Sequence, residues 1–243
     1  MQVNGDVVRR GDTDVAATDR VILGPPRPPF PAALRLVHED DELIVVDKPA
    51  GLLTIATERE RQRTAYRMLR DYVAAGRRGA RLFVVHRLDR ETSGLLVFAR
   101  SEPVKRMLQA QFEARAVERV YTAVVEGRIG APTGTLRARV AEDPRSLRVR
   151  TTARGLEAVT HYRVVERRAQ STVLELTLET GRRGQIRAQL AALGHPIVGD
   201  AQFGSRRDPV RRLCLHATRL GFRDGAGRAR WYDSPVPAVF ERA

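Results

Sequence analysis

The segment Phe83-Val84-Val85-His86-Arg87-Leu88-Asp89-Arg90-Glu91-Thr92-Ser93-Gly94-Leu95-Leu96-Val97-Phe98 places a polar loop between two apolar strands. An ordinary turn accounts for part of it: Asp89 caps the turn, Thr92 and Ser93 bond locally, and Gly94 supplies a positive φ. It leaves Arg87 and Asp89 unexplained, because at i, i+2 on extended backbone they share one face. The functional alternative is a carboxylate placed for chemistry with a cation beside it. On residue types alone the two readings fit equally well.

The elements that must hold this loop follow from hydrophobic patterning. Strands are expected at Leu34–His38, Leu43–Val46, Leu82–Val85, Leu95–Phe98, Val120–Val125, Leu136–Val140, Leu147–Thr151, Val159–Val165 and Val173–Leu178. Helices are expected over Thr64–Ala75, with Gly76 as a stop, over Glu102–Ala116, and over Gln185–Leu193 with Ile186, Leu190 and Leu193 on one face. Strands outnumber helices and come in series, so the fold class is α+β, a mixed and mostly antiparallel sheet with flanking helices. Residues 34–243 form one domain. Before it, Gly24-Pro25-Pro26-Arg27-Pro28-Pro29-Phe30-Pro31 reads as a semi-rigid linker over 24–33, and the piece 1–23 is too small to hold a core of its own.

Composition narrows the class further. The 243 residues carry a net charge of +14, which points to a polyanionic partner, most plausibly nucleic acid. Of the 43 basic residues only Lys48 and Lys105 are lysines; a GC-rich genome explains that preference, but not the excess of base over acid. A single cysteine, Cys214, excludes an internal disulfide framework and reads as core. His38, His86, His161, His195 and His216 are scattered, so no metal and no other cofactor is expected. With no apolar run of membrane-spanning length and no secretory signal at the N-terminus, a cytoplasmic protein is expected.

His86-Arg87-Leu88-Asp89-Arg90-Glu91-Thr92-Ser93-Gly94 resembles the HRLDxxTSG signature of the RluA-type pseudouridine synthases. Further matches follow in that family's order. Asp47-Lys48-Pro49-Ala50-Gly51 resembles its NKPxG strand end, and Arg119-Val120-Tyr121-Thr122-Ala123-Val124-Val125-Glu126-Gly127 its K-x-Y-x-A-x-x-x-G strand. Thr180-Gly181-Arg182 with Gln185-Ile186-Arg187 resembles TGRxHQIR, Leu193-Gly194-His195-Pro196-Ile197-Val198-Gly199-Asp200 resembles LGHPIxGD, and Leu215-His216-Ala217 resembles the late LHA element. The resemblance spans about residues 34–240. It implies the pseudouridine synthase fold and an isomerase that turns uridines of ribosomal or transfer RNA into pseudouridine. Nothing in the sequence marks an oligomer interface, an obligatory protein partner, a membrane segment or a cofactor, and a monomer is the default expectation.

The resemblance makes Asp89, Tyr121 and Arg187 the catalytic set and Arg87 an RNA contact; Arg182, Arg183 and Gln185 are further expected RNA contacts. Asp89 is the carboxylate at the sugar–base junction. Arg187 is its expected partner, since an arginine within about 4–6 Å lowers a carboxyl pKa by roughly 1–3 where burial would raise it. Tyr121, by itself a plain core residue, gains a role stacking on uracil and handling the C5 proton. Arg87 either fills the space left by the flipped base or contacts phosphate. Arg61, Arg63, Arg206 and Arg207 are further phosphate candidates. The residues from Val3-Asn4-Gly5 to Asp19-Arg20-Val21 resemble the second half of an S4 RNA-binding module.

Two departures stand out. Arg183-Gly184 replaces the family's Thr-His, and Gln189 replaces a histidine, so RNA contacts there are expected to differ. A kinase is rejected despite His86-Arg87-Leu88-Asp89, for want of a Gly-rich phosphate loop, and no G-x-S-x-G supports a serine hydrolase. The rival is a non-catalytic RNA-binding or ribosome-assembly factor on the same fold.

Overall fold

In a computed structural model of the chain, residues 2–4, 6–8, 14–22, 29–76, 79–143 and 149–243 are described. Residues 24–28 of the expected linker, residues 147 and 148 of the strand expected over 147–151, and parts of the N-terminal piece lie outside them. Three short strands, β1 (Gln2–Val3), β2 (Asp6–Val7) and β3 (Val21–Ile22), form a separate antiparallel sheet in the order β2-β1-β3. Phe30, at the end of the linker, packs edge-on against Tyr72 at 5.1 Å.

The main sheet has eleven strands. Its path runs β10 (Val149–Thr151), β9 (Thr133–Glu142), β11 (Leu156–Arg167), β12 (Ser171–Leu178), β8 (Glu118–Glu126), β13 (Leu215–Arg223), β7 (Ser93–Ala99), β5 (Leu43–Lys48) and β4 (Arg35–Glu39). Two strands lie off this path: β6 (Phe83–Val84) pairs with β7, and β14 (Ala229–Asp233) with β13. Every pairing is antiparallel except β13 with β7, so the sheet is mixed and the fold α+β, as expected.

Strand periodicity sorts the core onto two faces. From β5 and β7, Ile44, Val46, Leu96 and Phe98 point to one side, where α1 (Ala65–Gly76) adds Leu69, Tyr72 and Val73. Leu43, Val45, Leu95 and Val97 point to the other, where α2 (Glu102–Glu113) adds Leu108. Buried on both faces, β5 and β7 read as unbroken apolar runs rather than alternations. Ser101 caps α2 by accepting a hydrogen bond from the Val104 amide. The third helix, α3 (Gln185–Ala192), sends Ile186 and Leu190 into the larger core. No helix among the described residues is long and apolar enough to cross a membrane.

The strands β13 and β14 were not expected from the sequence. In β13 the pairing with β8 shifts register between Ala217 and Arg219, so the apolar positions run Leu215, Ala217 and then Leu220, Phe222, and the alternation breaks. The parallel junction beside this bulge is close. A Cβ on Gly94 would lie 2.3 Å from the Ala217 carbonyl oxygen, and Gly94 has φ +113, so only glycine fits.

A buried polar chain fastens the same junction. Arg212 Nη2 donates to Ser93 Oγ at 2.7 Å, and Ser93 Oγ lies 2.7 Å from His216 Nδ1. His216 Nε2 lies 3.0 Å from Ser234 Oγ, which donates to Asp47 at 2.6 Å. The ends fix the tautomer: the arginine can only donate and the carboxylate only accept, so Ser93 donates to Nδ1 and the His216 proton sits on Nε2. Burial, opposed by Asp47 and aided by Arg212 and Arg35, pushes the His216 pKa down to about 4. His86, partly buried and near Arg119, is pushed by desolvation to about 3; it stacks on Phe112 at 4.8 Å and accepts from the Val97 amide.

Both histidines therefore stay neutral in the native state while the unfolded chain protonates them below about pH 6.5. Stability is full above that pH and falls as pH drops from about 6.5 toward 4. Thermal unfolding followed from pH 7 to 4.5 should show a falling midpoint, with a shallower slope in His216→Gln. Equal slopes in the two proteins would place the acid sensitivity elsewhere.

Candidate active site

The loop joining β6 to β7 is fastened to the segment after β5 by backbone-directed bonds. Thr54 Oγ1 donates to the Leu88 carbonyl at 2.9 Å and accepts from the Leu88 amide at 3.1 Å. The Gly51 amide donates to the Arg90 carbonyl at 2.9 Å, and Arg90 Nε returns a bond to Gly51 O. Lys48, wholly buried, donates from Nζ to the carbonyls of Pro49, Leu52 and Arg90. Three acceptors use all three ammonium protons, although burial, opposed by Glu91 and Asp89, pulls its pKa down to about 7. Residues on both sides of Asp89 are thus held before any ligand arrives.

Asp89 opens onto a cavity of about 280 Å³ whose walls include Arg87, Tyr121, Ile186, Arg187 and Leu215. The three residues expected to be catalytic therefore converge, from the β6–β7 loop, from β8 and from the first turn of α3. Arg187 is ion-paired with Asp89 as expected, but its stronger bonds go elsewhere. Its Nε and Nη2 form a two-point bond to Asp200, both at 2.7 Å, and Nη2 also donates to Gln202 Oε1 at 3.0 Å. Only Nη1 reaches Asp89, at 3.6 Å. The Asp200 carboxylate is buried, and Phe203 lies 4.6 Å beneath the guanidinium. Burial would lower the Arg187 pKa, but the bonds to Asp200 and the charge of Asp89 outweigh it and the net direction is up.

Tyr121 is nearly buried, and burial, opposed by Arg119 and aided by Asp89, raises its phenol to about 12. The phenol is neutral at physiological pH. Arg119, also on β8, donates from Nη2 to the carbonyls of Leu178 and Glu179 and so holds the end of β12. Its Nε is buried without a hydrogen-bond partner, the one such side-chain atom among the described residues.

The residues expected to contact RNA divide. Arg87 is exposed on the cavity rim, with no side-chain partner among the described residues. Arg182 donates to the Glu157 carbonyl, and Arg183 is ion-paired with Glu142 across the cavity mouth. Gln185 is a correction. Its Oε1 accepts from Thr180 Oγ1 and the Arg182 amide, and its Nε2 donates to Val159 O and Thr160 Oγ1. All four hydrogen-bonding positions of the amide are filled inside the protein, which leaves none for RNA.

The departures have internal reasons. Gln189 bonds Thr160, Leu136 and Ala158, and so bolts α3 to β9 and β11 instead of facing a ligand. Gly184 has φ +59, and a Cβ there would press on Val149 of β10 at 3.3 Å, so a side chain would be both strained and crowded. Of the further phosphate candidates, Arg207 donates to the Gln170 carbonyl. Arg61 and Arg63 line two other surface hollows, and Arg206 is exposed.

Sequence reasoning missed Asp200, Lys48 and Thr54 as site supports. Asp200 offered a signal, a lone acid closing the apolar run Pro196-Ile197-Val198-Gly199, but its partner lies thirteen residues back across a helix and a turn.

The profile of the family described as RNA pseudouridylate synthase matches residues 42–192. The large-subunit ribosomal pseudouridine synthase D of Neisseria meningitidis is 35% identical over 86% of this chain and 60% of its own length. A Bacillus subtilis protein, the uncharacterized RNA pseudouridine synthase YhcT, is 34% identical over 77% of this chain and 63% of its own. The chain thus spans about 60% of the length of these curated relatives. Among solved structures, human RNA pseudouridylate synthase domain containing 4 shares the fold, with TM-score 0.72 and 23% identity over 86% of this chain and 90% of that one.

A buried ion pair is strongly coupled, since removing one partner strands the other charge at a cost of about 3–5 kcal/mol. Asp200→Ala should therefore lower the urea-unfolding free energy by about 3 kcal/mol. The double variant Arg187→Met with Asp200→Leu should recover most of that loss. Additive losses would mean that the two charges act independently.

Proposed function

This chain belongs to the RNA pseudouridylate synthase family, and from that membership we propose that it isomerises uridines in structured RNA to pseudouridine. The observation that carries the reading is convergence: Asp89, Tyr121 and Arg187 come from separate elements to one cavity. The uracil N1–C1′ bond breaks, the base turns, and C1′ bonds to C5; C5 gives up a proton and N1 gains one. Atoms and electrons balance without an oxidant or an energy source.

Asp89 acts at the ribose–base junction. Arg187 Nη1 faces its carboxylate from a fixed direction, because the other nitrogens are committed to Asp200 and Gln202. Tyr121 offers a ring for the uracil to stack on. A phenol raised to about 12 keeps its proton at neutral pH and is a weak acid there, so any part in the C5 proton's departure requires a base nearby. Arg87, free on the rim, enters the space left when the base leaves its stack, which costs a few kcal/mol.

The charge of +14 favours a polyanion throughout. The Neisseria relative is named for the large ribosomal subunit, which makes ribosomal RNA the first substrate to test. We place the protein in the cytoplasm, as a monomer, with residues 34–243 as the catalytic domain and the N-terminal strands as an S4-like accessory. A pure RNA binder has no need of a carboxylate oriented by a buried arginine, which counts against that rival.

Pseudouridine mapped across the transcriptome with the gene intact, deleted, or replaced by Asp89→Asn should reveal at least one site lost on deletion and not restored by the variant. A map unchanged by deletion, together with purified protein that leaves RNA unaltered, would reject the reading. On the substrate so named, Tyr121→Phe should keep KM within about threefold. If the phenol takes part in proton transfer, kcat should fall by about 10²-fold or more, the usual worth of acid–base catalysis. A kcat near wild type would reduce Tyr121 to a stacking surface.

A further inference from the structure

A second cavity of about 240 Å³ lies on the other side of Asp89. It shares Arg87, Leu88, Asp89, Arg183, Gly184 and Arg187 with the first, and adds walls of its own from Ile55, Val149, Gln202 and Phe203. Tyr121 belongs to the first cavity only. The two hollows are therefore neighbours, divided by the carboxylate and its arginines.

We propose that this second cavity is a subsite for the nucleotide flanking the target uridine, and that Gln202 reads a hydrogen-bond acceptor on it. The inference rests on the reading that uracil occupies the first cavity with its C1′ at Asp89. The ribose then stands at the shared wall, and the polynucleotide must leave across that wall. Its exit is lined with Arg87, Arg90 and Arg183, which suit a phosphodiester, and also with Ile55 and Phe203, whose apolar side chains suit a base.

The direction of Gln202 follows from its partner. Arg187 can only donate, so the Gln202 oxygen must face Nη2, where it accepts at 3.0 Å. The Nε2 amide is thereby turned away from Arg187, and no hydrogen bond occupies it among the described residues. The subsite presents a donor whose orientation is set by the same guanidinium that holds Asp89. It accordingly prefers a flanking base whose facing edge carries a keto oxygen or ring nitrogen over one that presents an amino group.

The test uses purified full-length chain and a pool of hairpin RNAs in which the nucleotides on both sides of a loop uridine are randomised, with pseudouridine read at single-nucleotide resolution. Wild type should show a preference at one flanking position on the order of tenfold between the best and worst base, the worth of one matched hydrogen bond against a mismatch. Gln202→Glu keeps an oxygen toward Arg187 but replaces the donor by an acceptor, and should reverse the preference at that position alone. Ile55→Trp, which fills the cavity away from Arg187, should flatten the preference at the same position. If the variants slow every context equally and leave the pattern intact, or if wild type shows no flanking preference, the second cavity is not a nucleotide subsite while the isomerase reading stands. If wild type converts no uridine in the pool, in ribosomal RNA or in transfer RNA, both fall together.

Discussion

A guanidinium taken out of water must find acceptors for its N–H groups, and the placing of Asp89 depends on how Arg187 finds them. Two of its nitrogens meet the buried Asp200 carboxylate at 2.7 Å, one of these also meets Gln202, and its flat face rests on Phe203. Asp200 neutralises the charge that burial would otherwise expel, and the two-point geometry fixes the plane of the group. Only after those bonds are made does Nη1 have a single direction left, and it points toward Asp89. The longer contact of 3.6 Å is what this division of labour implies: the strong bond positions the arginine, and the weaker one leaves Asp89 free to engage a ligand.

The other half of the site is fixed by the backbone. Ser93 and Gly94 begin β7 a few residues after Asp89, and there the sheet turns parallel to β13 with too little room for a side chain. Hydrogen bonds run from Arg212 through Ser93, His216 and Ser234 to Asp47 at the end of β5. Next to Asp47, Lys48 turns inward to the carbonyls around the Asp89 loop. The two networks thus start from adjacent residues of β5 and grip the loop from both ends. Such a loop needs little reordering on binding, which is how a preorganised site avoids an entropic penalty at the moment of reaction.

Much of this was legible in the sequence, and the failures have physical causes. Asp89, Tyr121 and Arg187 could be marked because the segments around them resemble a known family's motifs; residue types alone left the Asp89 loop undecided and made Tyr121 a plain core residue. The central strands were readable because burial on both faces gives unbroken apolar runs. Strand β13 was not, since its bulge moves the apolar set by one residue midway. Asp200 was quoted within a motif yet given no role, because an ion pair is a relation between residues and one chain segment displays only one partner. Gln185 was misread for the same reason: its place in a motif beside Arg187 does not show that four neighbours within the protein already fill its amide.

The same consideration bears on the positive charge. A net charge of +14 describes the whole chain, but the arginines around the cavity are not interchangeable. Arg119 and Arg187 are buried supports whose protons are directed inward. Arg183 is held by Glu142 at the mouth, with both side chains partly exposed. Only Nη1 of Arg183 is held by Glu142, so an incoming phosphate can meet its other nitrogens or displace that carboxylate, which exchanges one partly exposed ion pair for another at small net cost. Arg87 needs no such exchange and stands at the wall between the two cavities. Binding through Arg87 therefore adds directly to the charge field, whereas binding through Arg183 shares the guanidinium with Glu142. An affinity governed by the overall charge can accordingly coexist with a selectivity governed by the two or three groups that border Asp89.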